Sequence, residues 1–375
     1  MGFAPPAPLA EIPEAAPRPV PRRIWGEVRE GLQAFSVWTE QVPGRGEDAD
    51  PLVAHHLGSG QGLLAVFDGS GGAGAAPVWQ APDGTQRTGA WVGGRVARLA
   101  TDCWFHDVAT RDAEVTAGVL HEYLEYFLDA APQRRSKIGG TMRRQLPTTL
   151  AAVHYQVITV SGEQALDLHA LWAGDSRAYV LHPETGLHVL TRDHTRESDA
   201  LELLRSDPPM TNLVCADREF TVDSRRLEFG LPCVLLAATD GFFGYVHTPA
   251  DFESLLLRTL QEAGTVDEWA DRVRREVLGY TADDASLALV ALGYRDFGSV
   301  RARFARRQAE LTERYVRTRP RGLDRHSPAA GADTAHPADD TTDLPARVRA
   351  WQDTTWREYR VGYETHLPPA AEESA

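Results

Sequence analysis

Two stretches of this chain share one grammar: Leu63-Leu64-Ala65-Val66-Phe67-Asp68-Gly69 and Leu235-Leu236-Ala237-Ala238-Thr239-Asp240-Gly241. Each is an apolar run of strand length ending in Asp-Gly. A lone Asp-Gly is most simply a hairpin turn. Here the following residues begin no matching strand: Gly69-Ser70-Gly71-Gly72-Ala73-Gly74 in one case, Phe242-Phe243-Gly244-Tyr245 in the other. Both carboxylates are therefore expected at strand ends facing a cleft. Further acids lie beside glycines or turns: Asp175 in Gly174-Asp175-Ser176-Arg177, Asp283-Asp284 at the start of the last apolar run, and Glu47-Asp48 in Gly44-Arg45-Gly46-Glu47-Asp48. Mg²⁺ and Mn²⁺ are hard cations that take carboxylate, carbonyl and water oxygens, so dispersed acids beside glycines form their kind of donor set. Zinc would call for His and Cys. The 13 histidines include His55-His56 but no HExxH or other paired spacing.

Other chemistries fit less well. Gly69 to Gly74 formally satisfies G-x-G-x-x-G after a strand, but Pro77 and Ala81-Pro82-Asp83-Gly84 interrupt the helix a dinucleotide site needs. No GxxxxGK[ST] is present, and Ser70 lacks the G-x-S-x-G frame of a nucleophile elbow. The formal charge of -14, from 53 acidic and 39 basic side chains, disfavours nucleic acid and anionic membrane surfaces as general partners. Cys103, Cys215 and Cys233 form no CxxC and sit in apolar stretches, which fits a reducing compartment. The N-terminal prolines are too dense for a signal peptide, and no window approaches the roughly 20 apolar residues of a membrane span. A soluble, cytoplasmic protein is expected.

Elements that could position these acids follow from the hydrophobic pattern. Strands are expected over 33–39, 63–67, 149–160, 165–172, 178–181, 219–227, 234–238 and 286–292. Short polar turns such as Val160-Ser161-Gly162-Glu163 favour antiparallel pairing. Helical spacing of apolar residues marks 88–108, 112–130, 249–262 and 266–278. Helices in couples and strands in runs imply a layered sandwich with helices outside sheets. Beyond Tyr294 come a basic, partly amphipathic helix and an Ala, Asp, Pro and His-rich stretch; 344–363, with Trp351, Trp356 and Tyr359, then reads as a second helix that docks on the domain or a partner.

Taken in order, GED (46–48), LLAVFDGSGG (63–72), PTTLAAVHY (147–155), LWAGDSRAYVL (171–181), LTRDHT (190–195), LLAATDGFFGYV (235–246) and DDASLALVAL (283–292) resemble the motifs of the type 2C metal-dependent protein phosphatases, the PPM family, in a bacterial-type member. The likeness spans 35–292, and the ordered set is more specific than any one motif. It implies an α+β fold, a four-layer α-β-β-α sandwich of two mostly antiparallel sheets. It also implies hydrolysis of phosphoserine and phosphothreonine in proteins, by a water bridging two Mg²⁺ or Mn²⁺ ions. By position, Asp68 would bridge the two metals, Gly69 would offer its carbonyl, and Glu47, beside Asp48, would help hold the second. Asp240 and Asp283 would complete the first site, and Asp175 would serve a third ion with Asp240. Asp284 stands where the family has Asn, and the roles of Asp283 and Asp284 are exchangeable at this point. The implied partners are a phosphoprotein substrate and a cognate serine/threonine kinase.

The chain departs from that pattern in three places. Ser70 replaces the His of eukaryotic members, which is thought to protonate the leaving alkoxide. Pro43 replaces the phosphate-binding arginine, so the nearest guanidinium is Arg45, either a clamp for phosphate oxygens or a solvated loop residue. Pro147 replaces a glycine before the Thr148-Thr149 pair. With Asp68, Asp240 and Arg45 as catalytic candidates, the alternative is a weak or inactive phosphatase fold that binds phosphoproteins as a scaffold or regulator. The expected organisation is a Pro/Ala-rich flexible arm over 1–23, the phosphatase-like domain over 24–295, a helical extension over 296–319, a disordered linker over 320–343, and a short C-terminal helix and tail over 344–375.

Overall fold

Successive strand residues point to opposite faces, and here both faces of most strands are apolar, because both are covered. The computed structural model describes residues 23–111, 113–131, 144–206, 208–323 and 344–369. All but one residue of the expected 1–23 arm, and most of the expected 320–343 linker, lie outside the described residues. One sheet has six strands in the order β1 (Ile24–Arg29), β2 (Gly31–Thr39), β13 (Ala285–Tyr294), β12 (Cys233–Ala238), β9 (Arg177–His182), β10 (Gly186–Val189). The other has five, in the order β11 (Asp223–Gly230), β8 (Glu163–Ala173), β7 (Leu150–Val160), β4 (Gln61–Val66), β3 (Leu52–His56). The strand pairs within both are antiparallel. A small hairpin, β5 (Pro77–Gln80) and β6 (Gln86–Thr88), stands apart.

Three cores separate four layers. Ala34, Leu64, Val66, Val153, Leu168, Val180, Leu235 and Val290 interdigitate between the sheets. Their neighbours Phe35, Tyr179, Leu236 and Leu289 turn outward under helices α6 (Pro249–Glu262), α7 (Val266–Leu278), α8 (Phe297–Leu311) and α9 (Leu344–Tyr363). On the far side, Leu63, Phe67, Ala152 and Leu171 pack under α2 (Gly89–Arg111) and α3 (Ala117–Ala130) with Trp104 and Leu124. The fold is thus the α-β-β-α sandwich that the motif order implies. No helix among the described residues is long and apolar enough to cross a membrane.

Some boundaries differ from expectation. β1 was not foreseen: its sequence, IWGEVR, lacks apolar alternation and is largely exposed, as an edge strand that pairs on one side can be. Glu47-Asp48 therefore follow the second strand, not the first. The strand expected over 219–227 begins at Asp223, because Thr221 exchanges hydrogen bonds with the Asn212 side chain instead of joining the sheet. The helix expected from 112 begins at Ala117, where the Thr116 hydroxyl caps it by accepting from the Val119 N–H at 3.2 Å. Four-residue α1 (Gly71–Gly74) and α5 (Asp240–Phe243) and six-residue α4 (Ala200–Arg205) were also missed, being too short to show a period.

Helix α9 is bound by more than apolar contact. The fully buried Glu253 carboxylate accepts from Arg307 Nε at 2.7 Å, Arg307 Nη2 at 3.0 Å and the Tyr359 hydroxyl at 2.6 Å, joining α6, α8 and α9. Glu253→Ala leaves the buried Arg307 guanidinium with only the partly exposed Glu310, at 3.4 Å, and is expected to cost about 3 kcal/mol in a urea unfolding titration. His154, on β7 against Trp104 and Phe105, is held neutral by burial, its pKa down to about 4 from 6.5. Unfolding therefore takes up a proton below pH 6.5, so stability is complete above that pH and falls as pH drops toward 4. The expected loss from this group is about 3 kcal/mol, and His154→Gln should flatten that limb of the stability-pH curve.

Candidate metal centre

Asp68 follows β4 directly, and the Thr148-Thr149 pair pins it. The Thr148 hydroxyl and the Thr149 N–H both donate to the Asp68 carbonyl at 2.8 Å, and the Asp68 N–H donates to Thr149 Oγ1 at 3.2 Å. Thr149 Oγ1 also lies 2.6 Å from Ser176 Oγ, tying the Gly174-Asp175-Ser176 corner to Asp68. His194 holds that corner from the other side, its Nδ1 accepting from the Gly174 N–H at 3.0 Å. Asp240 opens α5 at the end of β12. The motifs LLAVFDG, PTTL, AGDSR and TRDHT are therefore one bonded assembly.

Both Asp-Gly glycines exist because another acidic segment passes at close range. A Cβ on Gly69 would lie 2.7 Å from the Glu47 carbonyl, and one on Gly241 would lie 2.0 Å from the Asp284 carbonyl. No side chain fits at either. These approaches carry Glu47-Asp48 to Asp68 and Asp283-Asp284 to Asp240.

The carboxyls meet as a result. Asp68 is within hydrogen-bond reach of both Asp48 and Asp240, and Asp175 and Asp283 lie close enough to repel Asp68 and Asp240. Burial first, then neighbouring carboxylates, pushes Asp48, Asp68 and Asp240 well above the usual carboxyl range. Asp48 is 1% exposed, and its Oδ2 accepts from Ser286 Oγ at 2.8 Å and Thr239 Oγ1 at 3.1 Å. Asp68 and Asp240 are only partly buried, and Asp240 opens on a cleft. Asp240 Oδ1 is buried with no hydrogen-bond partner. Asp175, Asp240 and Asp283 line the cleft, whose volume is about 390 Å³, with Leu204, Arg205, Tyr245 and Val246 on its walls.

The remaining candidates are placed differently. Asp284 faces the loop before β3: its Oδ1 accepts from the Gln41 N–H at 2.8 Å and its Oδ2 from the Glu47 N–H at 2.6 Å. Asp283 is the exposed partner whose charge the cluster feels, so the pair divides into a cleft residue and a loop anchor. The Glu47 carboxylate turns to the Thr88 hydroxyl and packs over Gly71, and burial raises its pKa. Arg45 stands exposed on the loop. Sequence reasoning missed Arg95 on α2, whose guanidinium donates to the Glu47 carbonyl at 3.1 Å and the Asp48 carbonyl at 2.9 Å and stacks 3.9 Å over Trp91. It reads as any helix arginine in the sequence. Burial brings its pKa down to about 10, still charged at neutral pH.

Among the described residues, no group of three or more His, Cys, Asp or Glu is already arranged to hold a metal ion. The donors nonetheless fit a hard divalent cation by chemistry and charge. All are oxygens, several carboxyls are forced together, and the unpartnered Asp240 oxygen needs a positive neighbour.

No family model and no curated protein matches the chain. Solved structures similar to it include a bacterial serine phosphatase (18% identity, 70% of this chain and 98% of that one, TM-score 0.48). The serine/threonine phosphatase PstP of Mycobacterium tuberculosis is another (16%, 70% and 99%, TM-score 0.46). So is the catalytic domain of PstP in complex with two manganese ions (16%, 70% and 98%, TM-score 0.44). The carboxylate cluster, not this distant likeness, carries the functional reading.

Asp284→Ala removes the acceptor for two loop N–H groups and is expected to cost about 1–2 kcal/mol in urea unfolding. Asp284→Asn, which keeps one acceptor oxygen, should lose less.

Proposed function

We propose that the chain is a metal-dependent phosphatase that hydrolyses phosphoserine and phosphothreonine in proteins with Mg²⁺ or Mn²⁺. The observation that carries the proposal is the contact among Asp48, Asp68 and Asp240, of which Asp240 lines the cleft, with a buried Asp240 oxygen left unpartnered. A site that packs acids this closely gains stability from a cation, and a scaffold alone gives no physical reason to keep them together.

In this reading Asp68, the Gly69 carbonyl and Glu47 would hold one ion, Asp68, Asp240 and Asp283 would hold another, and Asp175 would join Asp240 at a third. Bound there, the ions supply the charge that activates water and stabilises a phosphoryl group in transfer. The chain's own groups do the positioning. Thr148 and Thr149 fix the Asp68 backbone, Asp284 and Arg95 fix the Glu47-Asp48 loop, and Thr239 and Ser286 hold Asp48 in one orientation. The Ser70 hydroxyl, beside Asp68 and Gly69, is too weak an acid to protonate a leaving alkoxide well near neutral pH, so an aryl leaving group, which needs less protonation, should be favoured over an alkyl one. Arg45, exposed on its loop, is left as a clamp only for a substrate that reaches that rim.

A weaker or inactive phosphoprotein-binding module is the second reading. What favours it is that, among the described residues, no three acids are already set around one point. Mn²⁺-dependent hydrolysis of p-nitrophenyl phosphate and of a phosphothreonine peptide separates the two. The expected result is turnover that Asp68→Ala and Asp240→Ala each lower on the order of 100-fold or more. Mn²⁺ binding without turnover in the parent would favour the module, and absence of both would sink the metal centre itself.

A further inference from the structure

The cleft above the carboxylates has two lips. One is α4 with the residues after it, contributing Leu203, Leu204, Arg205 and Ser206; the other is the segment after α5, contributing Tyr245 and Val246. One side chain from outside the cleft, on α9, touches both.

Gln352, on α9, is only 6% exposed. Its Oε1 accepts from Arg205 Nη2 at 3.3 Å, on the first lip, and its Nε2 donates to the His247 carbonyl at 2.9 Å, next to Val246 on the second. The amide is suited to this bridge because it carries an acceptor and a donor on one planar group. Glutamate would keep the arginine contact and turn an oxygen on the carbonyl; leucine would lose both. Neighbouring α9 residues extend the hold on α4. Asp353 accepts from Arg205 Nη2 at 2.6 Å, and Asp199 Oδ2 accepts from Trp356 Nε1 at 3.1 Å and Arg360 Nη1 at 2.8 Å. Asp199 is also the N-cap of α4, its Oδ1 accepting from the Leu201 and Glu202 N–H groups at 2.9 and 3.2 Å. The residue that starts the lip is thus the residue α9 grips.

We infer that Gln352 is a positioning residue that braces the two lips, so that α9 fixes the width the cleft offers to a phosphorylated peptide. The consequence for substrate choice rests on the phosphatase reading above. A small ester reaches the floor acids between the lips without spanning them, whereas a peptide must fit both. Bracing therefore bears on peptide binding more than on the chemical step.

The test compares the full-length parent with Gln352→Leu, and with Asp353→Asn in case the first variant folds poorly. Amide hydrogen exchange, measured without substrate, is expected to quicken about tenfold or more over 199–206 and 245–247 in Gln352→Leu, with the sheets unchanged. With Mn²⁺, KM for a phosphothreonine peptide is expected to rise about five- to tenfold, while kcat for p-nitrophenyl phosphate stays within about twofold. Asp353→Asn should move both in the same direction, less far. Unchanged exchange in both lips, or an equal fall in kcat on both substrates, would overturn the inference. A parent that hydrolyses neither substrate would overturn the phosphatase reading instead, and the exchange measurement would still decide whether Gln352 braces the lips.

Discussion

Carboxylates in contact inside a protein are the constraint on which the rest of this structure depends. Asp48, Asp68 and Asp240 lie within hydrogen-bond reach in sequence-distant pairs, and burial adds to their mutual repulsion. Two like charges at such range cannot both persist in a medium of low dielectric without a proton or a cation between them. Everything near the cluster serves to impose that contact. Two glycines allow backbones to approach where no side chain fits, two threonines hold the Asp68 peptide, and one half-buried arginine takes the carbonyls of Glu47 and Asp48. The sandwich behind them is rigid enough to hold this because both sheets are covered on both faces.

The same physics explains why the motifs look as they do. PTTL carries two hydroxyl residues in a row because one serves the Asp68 carbonyl and the other both the Asp68 N–H and Ser176. In AGDSR, Arg177 lines the cleft and pairs there with Asp193 at 2.7 Å while lying 4.2 Å over Phe243, three residues after Asp240. Its Nη1 also donates to the Tyr363 hydroxyl at 3.4 Å, so the C-terminal helix reaches the wall of the cleft as well as its lips.

The layer architecture could be read from the sequence, because apolar runs of strand length and helices in couples admit few arrangements. The convergence of distant acids was also suggested by their repeated position at the ends of apolar runs. Other features were hidden for physical reasons. Asp283 and Asp284 are adjacent and identical, and only the direction of a turn sends one to the cleft and the other to the Gln41 and Glu47 N–H groups. Arg45 sits in a glycine-rich loop that looks like a binding loop, yet the guanidinium that holds the Glu47-Asp48 segment is the half-buried Arg95, whose place on a helix gives no local sign. β1 carries too little apolar pattern to announce itself, since an edge strand can be specified by pairing alone.

Helix α9 shows how a terminal element can become part of a site it does not line. Its aromatic face, Trp351, Trp356, Tyr359 and Tyr363, is buried on the helical layer, and that burial supplies the docking energy. Its polar groups are then free to specify position, each adding a bond to a partner on the domain: Glu253, Asp199, the His247 carbonyl and Arg205. Apolar contact alone tolerates sliding by a fraction of a turn; four directional bonds do not. The division of labour means that a change on the aromatic face should alter how tightly α9 is held, and a change at Gln352 or Asp353 should alter where the lips stand while α9 stays docked.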